Sequence, residues 1–215
     1  MVCTVNYGTS KQKRNKRYQV MTYMEKFFEL FKKNLKTERL ELRLLEPTEE
    51  NAKLVWKALK NENPDDFKYA PMVENEILPK SQSETLSMMQ KRTEWCHNGV
   101  DWYIFHNNNL VGYQRIHYWP QNRTIQCSEV WFLKKYWGKG FNQEIHKLIE
   151  QIAFEKLHVN RICRQCVKDN INSFNSIKKS GFHHDGDERQ SYRMPDGNFI
   201  DQCRFSKLAS EYKGK

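Results

Sequence analysis

The chain has 215 residues, a net charge of +10 and an aromatic share of 13%, which fits one globular domain with bulky side chains for a core. A mean hydropathy of -0.90 and the absence of any apolar run of spanning length exclude a transmembrane helix, and the polar, basic first twenty residues predict no secretory leader. Cys3, Cys96, Cys127, Cys163, Cys166 and Cys203 are scattered, as expected of a reducing, cytoplasmic setting.

Charge is concentrated at one end. Residues 1–36 hold nine Lys/Arg against Glu25 and Glu29, a net of +7. Segment 1–19 has the composition of a disordered tail. From Met21 to Leu35, the residues Met24, Phe27, Phe28 and Phe31 fall on one side of a helix, leaving two roles open: a helix packed on the domain, or a basic amphipathic segment for a ribosome, RNA or acidic membrane surface. The expected organisation is a basic extension over 1–36 followed by a domain over 37–215.

Within that domain, a strand over 37–45 ends at Pro47, and Thr48-Glu49-Glu50 opens a helix through Leu59. Residues 61–80 carry Pro64, Pro71 and Pro79 and read as a long loop. Ser81 and Glu84 form a capping box that opens a second helix to about His97. Strands 101–106, 110–119 and 123–133 are separated by Asn- and Pro-containing turns and predict an antiparallel meander. A helix over 140–156, a strand over 159–167, a helix over 171–179 and a hairpin closing on Asp196-Gly197 complete the order β-α-α-β-β-β-α-β-α-β-β.

The segment Lys134-Lys135-Tyr136-Trp137-Gly138-Lys139-Gly140-Phe141-Asn142 joins a run of β-formers to a helical pattern of Ile145, Leu148, Ile149 and Ile152. The first turn of a helix leaves amide hydrogens unpaired and carries the positive end of the helix dipole, so the junction can hold an anion. A connecting turn that happens to be basic is the competing explanation. A Walker loop is missing, and a dinucleotide fingerprint would need glycine where Gln143 stands. Cys163-Arg164-Gln165-Cys166 has metal-motif spacing, but in a strand the two thiols point to opposite faces, so no metal site is expected.

Further motifs follow in order: Asn170-Ile171-Asn172-Ser173, Lys179-Ser180-Gly181-Phe182, Asp185-Gly186, Asp196 to Asp201, and Arg204 to Leu208. With Tyr136 to Gly140, this set resembles the GNAT superfamily of N-acetyltransferases, and Thr37 to Arg43 resembles the first strand of its RimJ/RimL branch, which acetylates ribosomal-protein N-termini. The resemblance covers residues 37–208. It implies a mixed α/β sheet splayed between two parallel strands, with acetyl-CoA as donor and direct transfer to an amine. Backbone groups near Phe132 and Leu133 would then pair with pantetheine, and the amides of 138–142, including Lys139, Gly140, Phe141 and Asn142, would hold the pyrophosphate. Lys135 stands where the family often has Arg or Gln.

By the same resemblance, Ser173 is the proton donor to the departing thiolate, and Asn170 sits beside the sulfur. The alternative is that both merely cap a helix. Glu129 is the first choice for general base, with an ion-paired strand glutamate as its rival. Tyr192 occupies the position where RimL-type enzymes carry a glutamate, and is the third catalytic candidate. Loop 61–80, with Asp65, Asp66, Phe67, Tyr69, Met72 and Glu74, and the hairpin at 192–196 are expected to wall the acceptor groove. Three functions are weighed: acetylation of a protein N-terminal amine, acetylation of a small amine such as a polyamine, aminoglycoside or amino acid, and CoA binding with RNA docking and little catalysis. Monomer and homodimer both stay open.

Overall fold

The computed structural model describes residues 22–69, 78–95, 97–194 and 197–214. Residues 1–21 and 70–77, with Met72 and Glu74, therefore lie outside the described residues, as do Cys96 and Asp196. The described chain forms helix α1 (22–31), strands β1 (Leu35–Lys36) and β2 (Glu41–Arg43), helices α2 (Glu49–Leu59) and α3 (Gln82–Trp95), and strands β3 (Gly99–His106), β4 (Asn109–Trp119) and β5 (Thr124–Phe132). Helix α4 (Phe141–Gln151), strand β6 (Arg161–Val167), helix α5 (Ile171–Lys179) and strands β7 (His183–Arg193) and β8 (Phe199–Leu208) follow.

Sequence punctuation explains the helix starts. The Thr48 side chain accepts from the Asn51 amide at the mouth of α2, and the Ser81 hydroxyl accepts from the Glu84 amide at the mouth of α3; both satisfy donors that a helix end leaves over. The strand expected over 37–45 is instead two short strands. Thr37 and Leu40 close a turn through Thr37 N to Leu40 O at 2.9 Å and Leu40 N to Thr37 Oγ1 at 3.0 Å, which folds β1 back on β2.

All eight strands form one sheet in the order β1-β2-β3-β4-β5-β6-β8-β7. β5 and β6 are its parallel pair; the other neighbours are antiparallel. Alternation along β3 sends Trp102 and Ile104 into one core, shared with α1, α4 and α5, and Tyr103 and Phe105 into the other, shared with α2 and α3. Helix α1 is part of the first core: Phe27 and Phe31 are fully buried, Phe27 stacks on Tyr118 at 5.1 Å, and Trp102 Nε1 donates to Lys33 O at 2.9 Å. Each such phenylalanine contributes about 1.5–3 kcal/mol of burial.

One irregularity in β5 sets up everything that follows. Arg115 pairs with Glu129 and the next residue, Ile116, pairs with Cys127, so Ser128 is the extra residue of a β-bulge. The bulge inverts the alternation. Ile125 and Cys127 face the α4 layer, whereas Trp131 and Leu133, of the same parity, face the α2/α3 layer.

Candidate active site

The parallel ladder runs from Thr124↔Arg161 to Cys127↔Arg164 and then stops. β5 continues to Phe132 and β6 to Val167, each still paired on its outer side. The two strands therefore part at the bulge. Leu133 N donates to Val111 O at 2.9 Å, and bonded positions alternate along an antiparallel pair, so Trp131 and Leu133 face β4 while Val130 and Phe132 turn their amides into the gap. The Leu133 amide is thus already spent, and the open positions are Val130 and Phe132. Phe132 O accepts the Trp137 indole at 2.7 Å, leaving its N–H for a ligand.

A cleft of about 1000 Å³ passes through this gap, lined from one layer by Asp65, Tyr69, Glu129 and Trp131 and from the other by residues of α4, β6 and α5. Two helices open into it. At α4, Gly138 and Gly140 adopt left-handed φ values of 72° and 76°, a conformation costly for any residue with a Cβ. Gly140 is the N-cap and offers no side-chain acceptor. The amides of Gly138 to Gln143 have no backbone acceptor, and a Cβ on Gly138 would meet no protein atom within 4 Å. The loop is therefore open toward the cleft, and its residues fit a pyrophosphate. Lys135 and Lys139 flank the Tyr136 ring at 5.4 and 5.0 Å and carry exposed charge at the rim. Phe141 buries its side chain in the core, stacked on Tyr136, and contributes its backbone to the loop.

The loop is braced by residues that sequence reasoning missed. Glu144, in the first turn of α4, accepts from Arg39 Nε at 2.6 Å and Arg39 N at 2.9 Å, and from the Thr37 hydroxyl. Arg39 also donates to Lys139 O at 3.0 Å. The partners lie about a hundred residues apart, so no local spacing signals the contact.

At α5, Asn170 is the N-cap: its Oδ1 accepts the Ser173 amide at 3.1 Å. Ser173 is half-buried and lines the cleft. Tyr192 is half-buried on β7, opposite Ile200 and outside the cleft lining.

Glu129 lies 6% exposed on the α2/α3 side of the gap. Arg92 Nη2 donates to its Oε1 at 3.1 Å and Nη1 to its Oε2 at 3.4 Å, and Arg115 Nη1 stands 3.9 Å away. Arg115 is in turn clamped by Asp101 at 2.7 and 2.6 Å. Burial raises the Glu129 carboxyl above the ordinary carboxylate range, with Arg92 and Arg115 pulling the other way.

On the other side of the gap lies a buried polar group of different character. Arg164, on the last paired rung, is 4% exposed with Nη1 unbonded, and His146 on α4 is 1% exposed with both ring nitrogens unbonded. Burial, then the charges of Arg164 and Lys207, holds His146 well below its ordinary value. Ser128 Oγ and Asn142 Oδ1 are also buried without partners, and all four residues line the cleft.

His184, Asp187 and Cys203 converge away from the cleft with ligand atoms within 4.8 Å. Asp187 there is already bonded by His184 at 2.8 Å and paired with Lys168 at 2.7 Å.

A family model described as an acetyltransferase (GNAT) domain matches residues 39–183. No curated protein matches the chain. Among solved structures, a GCN5-related N-acetyltransferase from Brucella melitensis superposes with a TM-score of 0.73 at 19% identity, over 84% of this chain and 80% of that one. An acetyltransferase (GNAT family) from Bacillus anthracis gives 0.66 at 21% identity, over 83% and 99%. A RimL ribosomal alpha-N-protein acetyltransferase in complex with coenzyme A gives 0.69 at 18%, over 84% and 100%. Those likenesses establish the fold, and the domain match spans about two thirds of the sequence. The chain belongs to the GNAT acetyltransferase family and is an acyl-CoA-dependent N-acetyltransferase.

Proposed function

We propose that this enzyme acetylates the N-terminal α-amine of a protein, using the gap between β5 and β6 to hold the donor. The observation that carries the reading is the ladder that ends at Cys127↔Arg164 while both strands continue, because unpaired strand amides there need a partner and a pantetheine arm is made of amides. The amides of Gly138 to Asn142 bind the pyrophosphate, with Lys135 and Lys139 adding charge. Val130 and Phe132 hold the arm. Acetyl-CoA supplies the acyl group as a thioester.

The amine enters from the α2/α3 side, where Asp65 and Tyr69 line the cleft. A terminal α-amine titrates near pH 8, so only a modest base is required. We assign proton removal to Glu129, whose raised carboxyl is better matched to that task than an ordinary one. Ser173 donates its hydroxyl proton to the departing sulfur. The RimL neighbour, described as an alpha-N-protein acetyltransferase, supports a protein terminus as acceptor. The five basic and no acidic residues of segment 1–21 support docking on an acidic surface such as ribosomal RNA. A truncation that tests this should remove residues 1–21 and leave the chain beginning at residue 22, since Phe27 and Phe31 belong to the core.

Thiol release from acetyl-CoA is the assay. Peptides with a free N-terminus should be turned over and the same peptides with a blocked terminus should not; release with small amines alone would replace the protein acceptor with a small-molecule one. Ser173→Ala is expected to lower kcat by about 10²-fold, the usual range for a lost general acid, with CoA affinity nearly intact; unchanged kcat would remove Ser173 from the mechanism. Gly138→Val should abolish CoA binding, since its side chain would project into the phosphate site and strain the left-handed turn. Retained affinity would mean the cradle lies elsewhere.

A further inference from the structure

Among the described residues, the α4 side of the gap holds one more buried positive charge than its acids balance. Arg164 and Lys207 are buried there. The acid beside them, Glu150, accepts from Lys207 Nζ at 2.8 Å, and that ammonium also donates to Ser180 O at 2.6 Å. Among the described residues Arg164 makes no ion pair: its guanidinium lies 5.4 Å from the Phe182 ring, with Nη1 unbonded. Cys127, its rung partner, is a neutral thiol pushed up to about 12 by burial. A buried cation without an anion is costly.

The surrounding groups are those of a carboxylate site. Arg164 offers a guanidinium, His146 two unbonded ring nitrogens and Ser128 a free hydroxyl, all buried and all lining the cleft. They lie where the gap narrows. An arm laid along β5 from Phe132 reaches the Ser128 bulge after four residues, about 13 Å at strand rise. The thioester end of the donor should therefore arrive at this apex, and any extension of its acyl group would enter the Arg164 and His146 basin.

We propose that the apex of the β5/β6 gap is a subsite for the terminal carboxylate of a dicarboxylic acyl-CoA, so that a donor of the succinyl class is accepted beside acetyl-CoA. This inference rests on the acyl-CoA reading of the cleft. Transfer follows the same balance as acetylation: the amine nitrogen bonds to the thioester carbonyl carbon, the carbon–sulfur bond breaks, and the nitrogen loses a proton while the sulfur gains one. The distal carboxylate stays bound to Arg164 throughout and takes no part in the bond changes.

The test compares calorimetric affinities of the full chain for coenzyme A, acetyl-CoA, butyryl-CoA and succinyl-CoA; butyryl has the same carbon chain length without the charge. Succinyl-CoA is expected to bind about tenfold or more tightly than butyryl-CoA, the scale of a charge-assisted bond. Arg164→Met should bring the two within about twofold, the charge-assisted contribution being lost, while Arg164→Lys should keep part of the difference. Equal affinity of the wild-type protein for succinyl- and butyryl-CoA overturns the proposal whether or not the variants fold. Failure to bind coenzyme A itself would instead overturn the acyl-CoA reading, and this subsite with it.

Discussion

Two sets of buried charges face each other across the gap, and they are built on opposite terms. On the α2/α3 side, Arg92 and Arg115 are matched by Glu129 and Asp101, with contacts from 2.6 to 3.9 Å. On the α4 side, among the described residues, Arg164 makes no ion pair, the nearby Glu150 being bonded to Lys207, and the ring nitrogens of His146 have no partner. Both arginines that define these sides, Arg92 and Arg164, are at most 9% exposed, so burial alone does not separate them. What separates them is completion. A satisfied network stabilises the fold it sits in, whereas an unsatisfied one in a cleft marks where a ligand's charge belongs.

The largest test of that contrast is Glu129→Ala. It removes the Glu129 carboxylate that Arg92 bonds, and breaking a buried pair from one side costs about 3–5 kcal/mol, read as a lowered denaturant midpoint at unchanged m. A loss under about 1 kcal/mol would place Glu129 among ordinary surface ion pairs. The next effect is pH-dependent and belongs to the other side of the gap. His146 is held neutral in the folded state well below 6.5, so below about pH 6.5 the unfolded chain binds a proton that the native state refuses. Stability should fall as pH drops from there, by at most about 1.4 kcal/mol per unit, and His146→Gln should flatten that dependence. An unchanged slope in the variant would mean that His146 is charged when folded. The smallest effect is expected for Arg164→Met: exchanging an unmatched buried cation for an apolar chain of similar reach should be neutral or stabilising by about 1 kcal/mol. A loss comparable to that of Glu129→Ala would erase the distinction between the two sides.

Much of this site was legible before folding, for identifiable reasons. The Gly138-Lys139-Gly140 turn, the Asn170 cap and the helices at Thr48 and Ser81 are local devices, each written within about four residues. The splay between strand 123–133 and strand 159–167 is expected only from the family resemblance. The remainder depends on contacts that sequence does not advertise. Arg39 and Glu144 read as unremarkable charges until β1 and β2 bring one against the mouth of α4. The Ser128 bulge leaves no glycine or proline signature, yet it decides that Glu129 faces the acceptor side and Cys127 the α4 side. For the segment around Phe27 and Phe31 the sequence leaves a packed helix and a basic amphipathic leader both open, and the burial of those two rings selects the packed helix. Arg92 and Arg164 look alike on paper, and the presence or absence of a facing carboxylate is what gives them different meanings.

The claim beneath all of this is that a thioester arm completes the open edge of β5. Amide hydrogen exchange followed by NMR on addition of coenzyme A tests it residue by residue. Val130 and Phe132, whose amides point into the gap, should become protected, while Trp131 and Leu133, already bonded to β4, should exchange as before. Saturation with coenzyme A that leaves Val130 and Phe132 as fast as in the free protein would contradict the account.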